Sequence, residues 1–180
     1  MFAIRTIIED RLYALAIDDD YDVFYECFDN WNDPSYLYQF FGDRPQALSY
    51  YEKGKKEAAK LIIKEATQFF EDVLHIAQNP LNANPLDHFI FEPLHSNQDF
   101  SMPFVQSKAY GTDQHKSFLR LYAVRLQDGA YVIAGGIIKT TEALQDCDEG
   151  KEMLKTLKRL GQFLQNNNLN DAFDLGTITI

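Results

Sequence analysis

Residues 116–141 read KSFLRLYAVRLQDGAYVIAGGIIKTT. Two β-rich runs, Phe118–Leu126 and Tyr131–Lys139, flank Asp128-Gly129. Asp-Gly between such runs is a strong hairpin signal, because a tight two-residue turn needs positive φ where Gly and Asp tolerate it best. A two-residue turn opposes Leu126 to Tyr131, Val124 to Ile133, Tyr122 to Gly135, Arg120 to Ile137 and Phe118 to Lys139. Side chains alternate along a strand, so this register defines two faces. One carries Leu119, Leu121, Ala123, Val132, Ala134, Gly136 and Ile138, with Arg125 at its margin, and is expected to face the core. The other carries Arg120, Tyr122, Tyr131, Ile133, Gly135 and Lys139. Two cations and a phenol on neighbouring rungs, with Gly135 leaving space beside the Tyr122 ring, suit a phosphate or carboxylate. The competing reading is that Arg120 and Lys139 merely solvate an outer sheet face.

Working outward, the segment downstream predicts a helix near Glu149–Leu164, with the stripe Met153, Leu157, Leu160 and Leu164 and a stop at Asn166-Asn167-Asn168. The tail beyond it reads as a strand or as disordered. Upstream, Lys55–Ala77 is the clearest helix. Ala58, Ala59, Ile62, Ile63, Ala66, Phe69, Phe70, Val73, Leu74 and Ala77 recur in steps of three and four. Asn79-Pro80 ends it. After a loop comes a short β-rich run, His88–Leu94, then a polar loop leading to Phe118.

At the N-terminus, Phe2–Glu9 and Arg11–Ile17 suggest a second hairpin. Asp18-Asp19-Asp20 fits a helix start, because carboxylates meet the free N–H groups there. Val23, Phe24, Cys27, Phe28 and Trp31 supply that helix with one apolar stripe. Asp33-Pro34 is a second start, followed by Tyr36, Leu37, Phe40 and Phe41, with Gly42 as the stop. The expected architecture is a single α+β domain over residues 1–180, an antiparallel sheet packed against several helices. No repeat, linker or composition break divides it.

The 180 residues are 46% hydrophobic and 14% aromatic, enough for a sizeable core without staples. Net charge is −10, which opposes non-specific binding to nucleic acid or anionic lipid. The charge is uneven. Residues 1–50 carry three arginines against ten acids, net −7, while residues 101–165 carry nine Lys or Arg against seven acids, net +2. Any chemistry on a polyanion therefore belongs to the C-terminal half. Cys27 and Cys147 are far apart and unpaired by motif, as in a reduced compartment. Charges at Arg5, Glu9, Asp10 and Arg11 interrupt the apolar start before a signal-peptide core forms, and no stretch reaches transmembrane length. A soluble cytoplasmic protein is the expectation.

Other motifs point to ordinary roles. His75, His88, His95 and His115 lack metal-binding spacing, so no metal or other cofactor is expected. Gly135-Gly136 lies inside a strand without the helix and Lys-Ser/Thr of a phosphate loop, and there is no GxSxG elbow. Asp18, Asp19, Asp20 and Asp22 lack a calcium-loop pattern and read as a helix start.

HFIFEPL, then KSFLRLYAVRLQDGAYVIAGGIIKTT, then KEMLKTLKRLGQFL resembles the RelE/ParE-like toxin superfamily over about residues 55–165. The resemblance implies a ribosome-dependent ribonuclease of a toxin–antitoxin pair. Arg120 would stabilise the RNA phosphodiester, Lys139 would be a second cation, and Tyr122 or His115 would transfer the proton. An antitoxin protein, RNA or the ribosome, and a second copy in a homodimer would be the partners, with no membrane involved. The chain departs from the small, basic pattern of such toxins in its charge and its acidic extension of 50 residues. That extension would then cover the basic sheet face as an inhibitory element. The alternative function is a non-enzymatic interaction domain presenting Tyr36, Tyr38, Tyr50 and Tyr51 to a protein partner; a third is a small-molecule enzyme with its pocket over the Arg120 face.

Overall fold

Ile4–Ile8 (β1) and Leu12–Leu15 (β2) form the N-terminal hairpin in the computed structural model, which describes residues 2–79, 81, 83–111 and 117–179. Phe91–Pro93 (β3), Val105–Tyr110 (β4), Leu119–Arg125 (β5) and Tyr131–Ile138 (β6) complete one six-stranded sheet in the order β1-β2-β6-β5-β4-β3. All neighbours are antiparallel except β2 and β6, which run parallel. The fold is α+β as expected, with a mixed sheet that is mostly antiparallel. The N-terminal hairpin joins the rest of the sheet through β2, alongside β6.

Six helices cover the sheet: Val23–Asn32 (α1), Pro34–Asp43 (α2), Pro45–Tyr51 (α3), Lys55–Ala77 (α4), Asp148–Asn166 (α5) and Ala172–Gly176 (α6). The α1 cap is Asp22, whose carboxylate accepts from the N–H groups of Phe24 and Tyr25; Asp18–Asp20 form a turn before it. The helix start therefore lies two residues past the acidic triplet. Asp33 and Pro34 start α2 as the sequence predicts. The α5 stripe begins and ends within two residues of expectation. In the described part of the tail, residues 167–179, the chain forms α6, which Asp171 caps by accepting from the Asp174 N–H.

Both sheet faces are buried. α1, α2 and α4 close one face, with Phe24, Trp31, Ile62, Phe69 and Val73 against Leu119, Leu121, Ala123 and Ile133. α5 and α6 close the other, with Leu157, Leu160, Leu164 and Leu175 against Val124, Val132, Ala134 and Ile137. Burying each such aliphatic side chain contributes about 1.5–3 kcal/mol. Every residue of β5 is buried, so Arg120 does not merely solvate an outer sheet face.

The β5–β6 hairpin differs from the two-residue turn in an instructive way. Leu126 N–H donates to Ala130 C=O at 2.8 Å and Gly129 N–H to Leu126 C=O at 3.2 Å, with Gly129 at φ +91°. This is a three-residue loop, Gln127–Gly129, with glycine in the left-handed position. Arg125 therefore opposes Tyr131 and Val124 opposes Val132. A bulge between Ile133 and Gly135 then absorbs one residue, and the predicted pairs Tyr122↔Gly135 and Arg120↔Ile137 are restored. Between turn and bulge the β6 faces are exchanged. Tyr131 and Ile133 pack toward α4 instead of sharing a face with Arg120, and Val132 and Ala134 face α5.

Gly135 and Gly136 let two helices approach opposite faces of the same strand. A Cβ on Gly136 would lie 2.6 Å from the Trp31 ring of α1, and one on Gly135 would lie 2.9 Å from Met153 Cε of α5.

Candidate functional site

β4 alternates cleanly: Val105, Ser107 and Ala109 are buried, and Gln106, Lys108 and Tyr110 are half-buried on the α5 side. Its register with β5 places Lys108 opposite Tyr122 and Tyr110 opposite Arg120. Two adjacent strands thus present a four-residue block of two cations and two phenols. β6 adds Ile137 beside Arg120, and Lys139 follows, its N–H donating to Phe118 C=O at 2.7 Å. These residues line a pocket of about 130 Å³, closed by Thr140, Thr141 and Glu142 and by Leu144 and Cys147 just before α5. Arg120, Tyr122 and Lys139, singled out from the sequence, are brought together. His115 lies outside the described residues.

Arg120 is held rigidly. Its guanidinium lies 4.0 Å from the Tyr110 ring centroid and donates to Leu119 C=O at 2.8 Å and Ser117 C=O at 3.2 Å. At 5% exposure it is nearly enclosed. Burial lowers its pKa, opposed by the surrounding phenols and Glu65, yet an arginine stays charged at any physiological pH. Burial also pushes the Tyr122 phenol well up, against the pull of Arg120. Tyr122 is therefore a neutral hydrogen-bond donor at pH 7. Lys108 Nζ stands 3.5 Å from Glu92 on β3, and Lys139 Nζ stands 5.7 Å from the Tyr50 ring centroid.

Three charged or phenolic lining residues escaped the sequence reading: Lys108, Tyr110 and Glu142. The first two sit on a strand taken for a polar loop, although VQSKAY at 105–110 alternates as a strand should. Glu142 is the one carboxylate among the described residues lining the pocket.

The acidic N-terminal half does not cover this pocket. Its helices pack on the opposite sheet face, because that is where their apolar stripes find Leu119 and Leu121. At the rim it contributes Tyr50 and Tyr51, the latter donating its hydroxyl to Lys139 C=O. Of the tyrosines considered for a partner surface, Tyr36 and Tyr38 remain exposed at 37% and 42%; Tyr51 turns inward against Phe118.

A second cavity of about 460 Å³ adjoins the first through Thr140, Thr141 and Cys147. Asp43, Asp146, Asp148 and Glu149 line it with Arg44, whose Nε donates to Glu149 Oε1 at 2.7 Å. Among the described residues no group of three His, Cys, Asp or Glu side chains could hold a metal ion, and no helix is long and apolar enough to cross a membrane.

Two buried polar clusters brace the surroundings. On α4, Glu65 accepts hydrogen bonds from Phe118 N–H at 2.9 Å, Leu119 N–H at 3.0 Å and the Ser117 hydroxyl. Beside β6, Asp87 takes two bonds from Arg125, at 2.8 and 2.7 Å, and one from the Tyr131 hydroxyl at 2.6 Å.

No family model, curated protein or solved structure matches this chain.

Proposed function

We propose that the protein is a toxin-like ribonuclease and that the pocket between Lys108, Arg120 and Lys139 holds an RNA phosphate. The carrying observation is the convergence of three cations and two phenols on one pocket in a chain of net charge −10. Cations gathered against the overall charge answer a local need for an anion. Arg120 supplies a fixed charge, the neutral Tyr122 phenol a donor, and Glu142 a carboxylate able to accept a hydroxyl proton. An antitoxin protein would be the partner that silences the activity. The test is growth after induced expression of the wild type and of an Arg120→Ala, Lys139→Ala double variant shown to be folded by circular dichroism. Arrest by the wild type alone supports the reading; unimpaired growth with soluble, folded wild type overturns it.

A further inference from the structure

The cation pocket and the larger cavity beside it carry opposite charge. Lys108, Arg120 and Lys139 face one carboxylate, Glu142, in the first; four carboxylates face Arg44 in the second, and Arg44 is engaged by Glu149. Asp146 and Asp148 are exposed at the junction, next to the shared Thr140, Thr141 and Cys147. A polyanion continuing from the first pocket into the second would be opposed by that cavity's carboxylates, Asp43 and Asp146 among them; Asp148 is paired with Lys151 at 3.5 Å.

From this we infer that the pocket takes a terminal phosphate monoester, the end of an RNA strand or a mononucleotide, in preference to an internal diester. The inference rests on the phosphate-binding part of the reading above and narrows the ligand to a strand end, the product side of a cleavage, since a monoester is not a bond a ribonuclease cuts. Two further features agree with it. The pocket's volume of about 130 Å³ suits a phosphate group with the attached nucleoside outside it. The charge also matches: three cations less one carboxylate leave +2, with Lys108 partly shared with Glu92. A monoester carries about −1.5 to −2 at neutral pH and a diester only −1. The remainder of the ligand leaves the pocket on the side away from Asp146 and Asp148, along β4.

Isothermal titration of the full chain with uridine 3′-monophosphate and with the dinucleoside monophosphate UpU, which has no terminal phosphate, tests this. The monoester is expected to bind at least tenfold more tightly than UpU, and the Lys108→Ala, Lys139→Ala variant to lose that advantage. Both lysines are only half-buried, so the variant keeps its core. Asp146→Asn with Asp148→Asn is expected to narrow the gap by strengthening UpU. Equal affinity of wild type for the two ligands overturns the inference while leaving the phosphate pocket standing. No binding of either, or binding unchanged in the lysine variant, overturns the phosphate reading itself.

Discussion

Replacing Glu65 by Ala is expected to cost about 4 kcal/mol, although Glu65 lies on a helix that its apolar stripe alone would seem to explain. The carboxylate is 5% exposed and accepts three hydrogen bonds from residues 117–119, where the chain enters β5. A Cβ on Gly111 would overlap it, so the site is filled. Each hydrogen bond to a charged acceptor contributes about 1.5 kcal/mol net at the low end, and loss of the acceptor leaves two backbone N–H groups buried without partners. Three such bonds, less the relief of not burying a carboxylate, give the figure. With a urea m-value of about 2 kcal/mol/M, the midpoint followed by circular dichroism should fall by about 2 M. Glu65→Gln keeps one acceptor but turns an NH2 group toward donors, and should fall between wild type and Ala. Amide exchange at Phe118 and Leu119 should rise in both variants. A loss under about 1 kcal/mol in Glu65→Ala would refute the reasoning, since it would mean these donors find other partners at no cost.

Asp87→Ala leaves the Arg125 guanidinium, 5% exposed, and the Tyr131 hydroxyl without their carboxylate, and should cost about 3–5 kcal/mol in urea melts. Asp87→Leu combined with Arg125→Met should recover much of it; a double variant no better than Asp87→Ala would show that the pair adds more than mutual compensation. Asp22 is fully buried, and burial raises its pKa against the pull of the Tyr25 and Phe24 N–H groups and of Arg5. A carboxyl whose folded pKa is raised stabilises most below its unfolded value of about 3.9 and loses that contribution as pH rises through the folded value. The stability of wild type relative to Asp22→Asn should therefore decline as pH rises above about 4, and a difference independent of pH would contradict the assignment. Burial pushes the Cys27 thiol up to about 12, whereas Cys147 is part-exposed. At pH 8 iodoacetamide should label Cys147 in the folded protein and Cys27 only in urea, the Cys27 thiolate fraction being about 10⁻⁴; equal labelling rates would show that Cys27 is reached.

What the sequence disclosed was local. Ala58 to Ala77 repeat at helical spacing, and Asp33-Pro34 announces a helix start through chemistry carried by those two residues. The convergence of Arg120, Tyr122 and Lys139 was also legible, but partly by cancellation: the loop is one residue longer than assumed, and the bulge after Ile133 restores the register where these residues sit. Nothing in the Asp-Gly signal distinguishes a two-residue turn from a three-residue loop with Gly at its left-handed position. The features that stayed hidden are non-local. β2 pairs in parallel with β6 across more than a hundred residues, and Glu65 meets residues 117–119 through tertiary packing. The polarity of Arg120 and Tyr122 suggested a wet face. In the fold the Arg120 guanidinium is satisfied by backbone carbonyls and the Tyr110 ring, so it can be buried beneath α5.

The salt dependence of binding follows from the same distribution of charge. A basic ribonuclease contacts many phosphates, and its affinity falls steeply with salt because each neutralised phosphate releases a counterion. Here the three cations converge on one pocket, so one phosphate is neutralised, and the chain as a whole, at net −10, repels the strand. For a single-stranded ligand the logarithm of affinity should fall with the logarithm of salt with a slope of about −0.7, the value for one phosphate. Longer RNA should bind no more tightly than a mononucleotide at low salt, and should gain relative to it as salt screens the acidic surface. Fluorescence anisotropy with labelled oligonucleotides of increasing length measures both quantities. A slope of −3 or steeper, or affinity rising with length at low salt, would require a basic track outside the pocket and would displace the pocket as the sole seat of recognition.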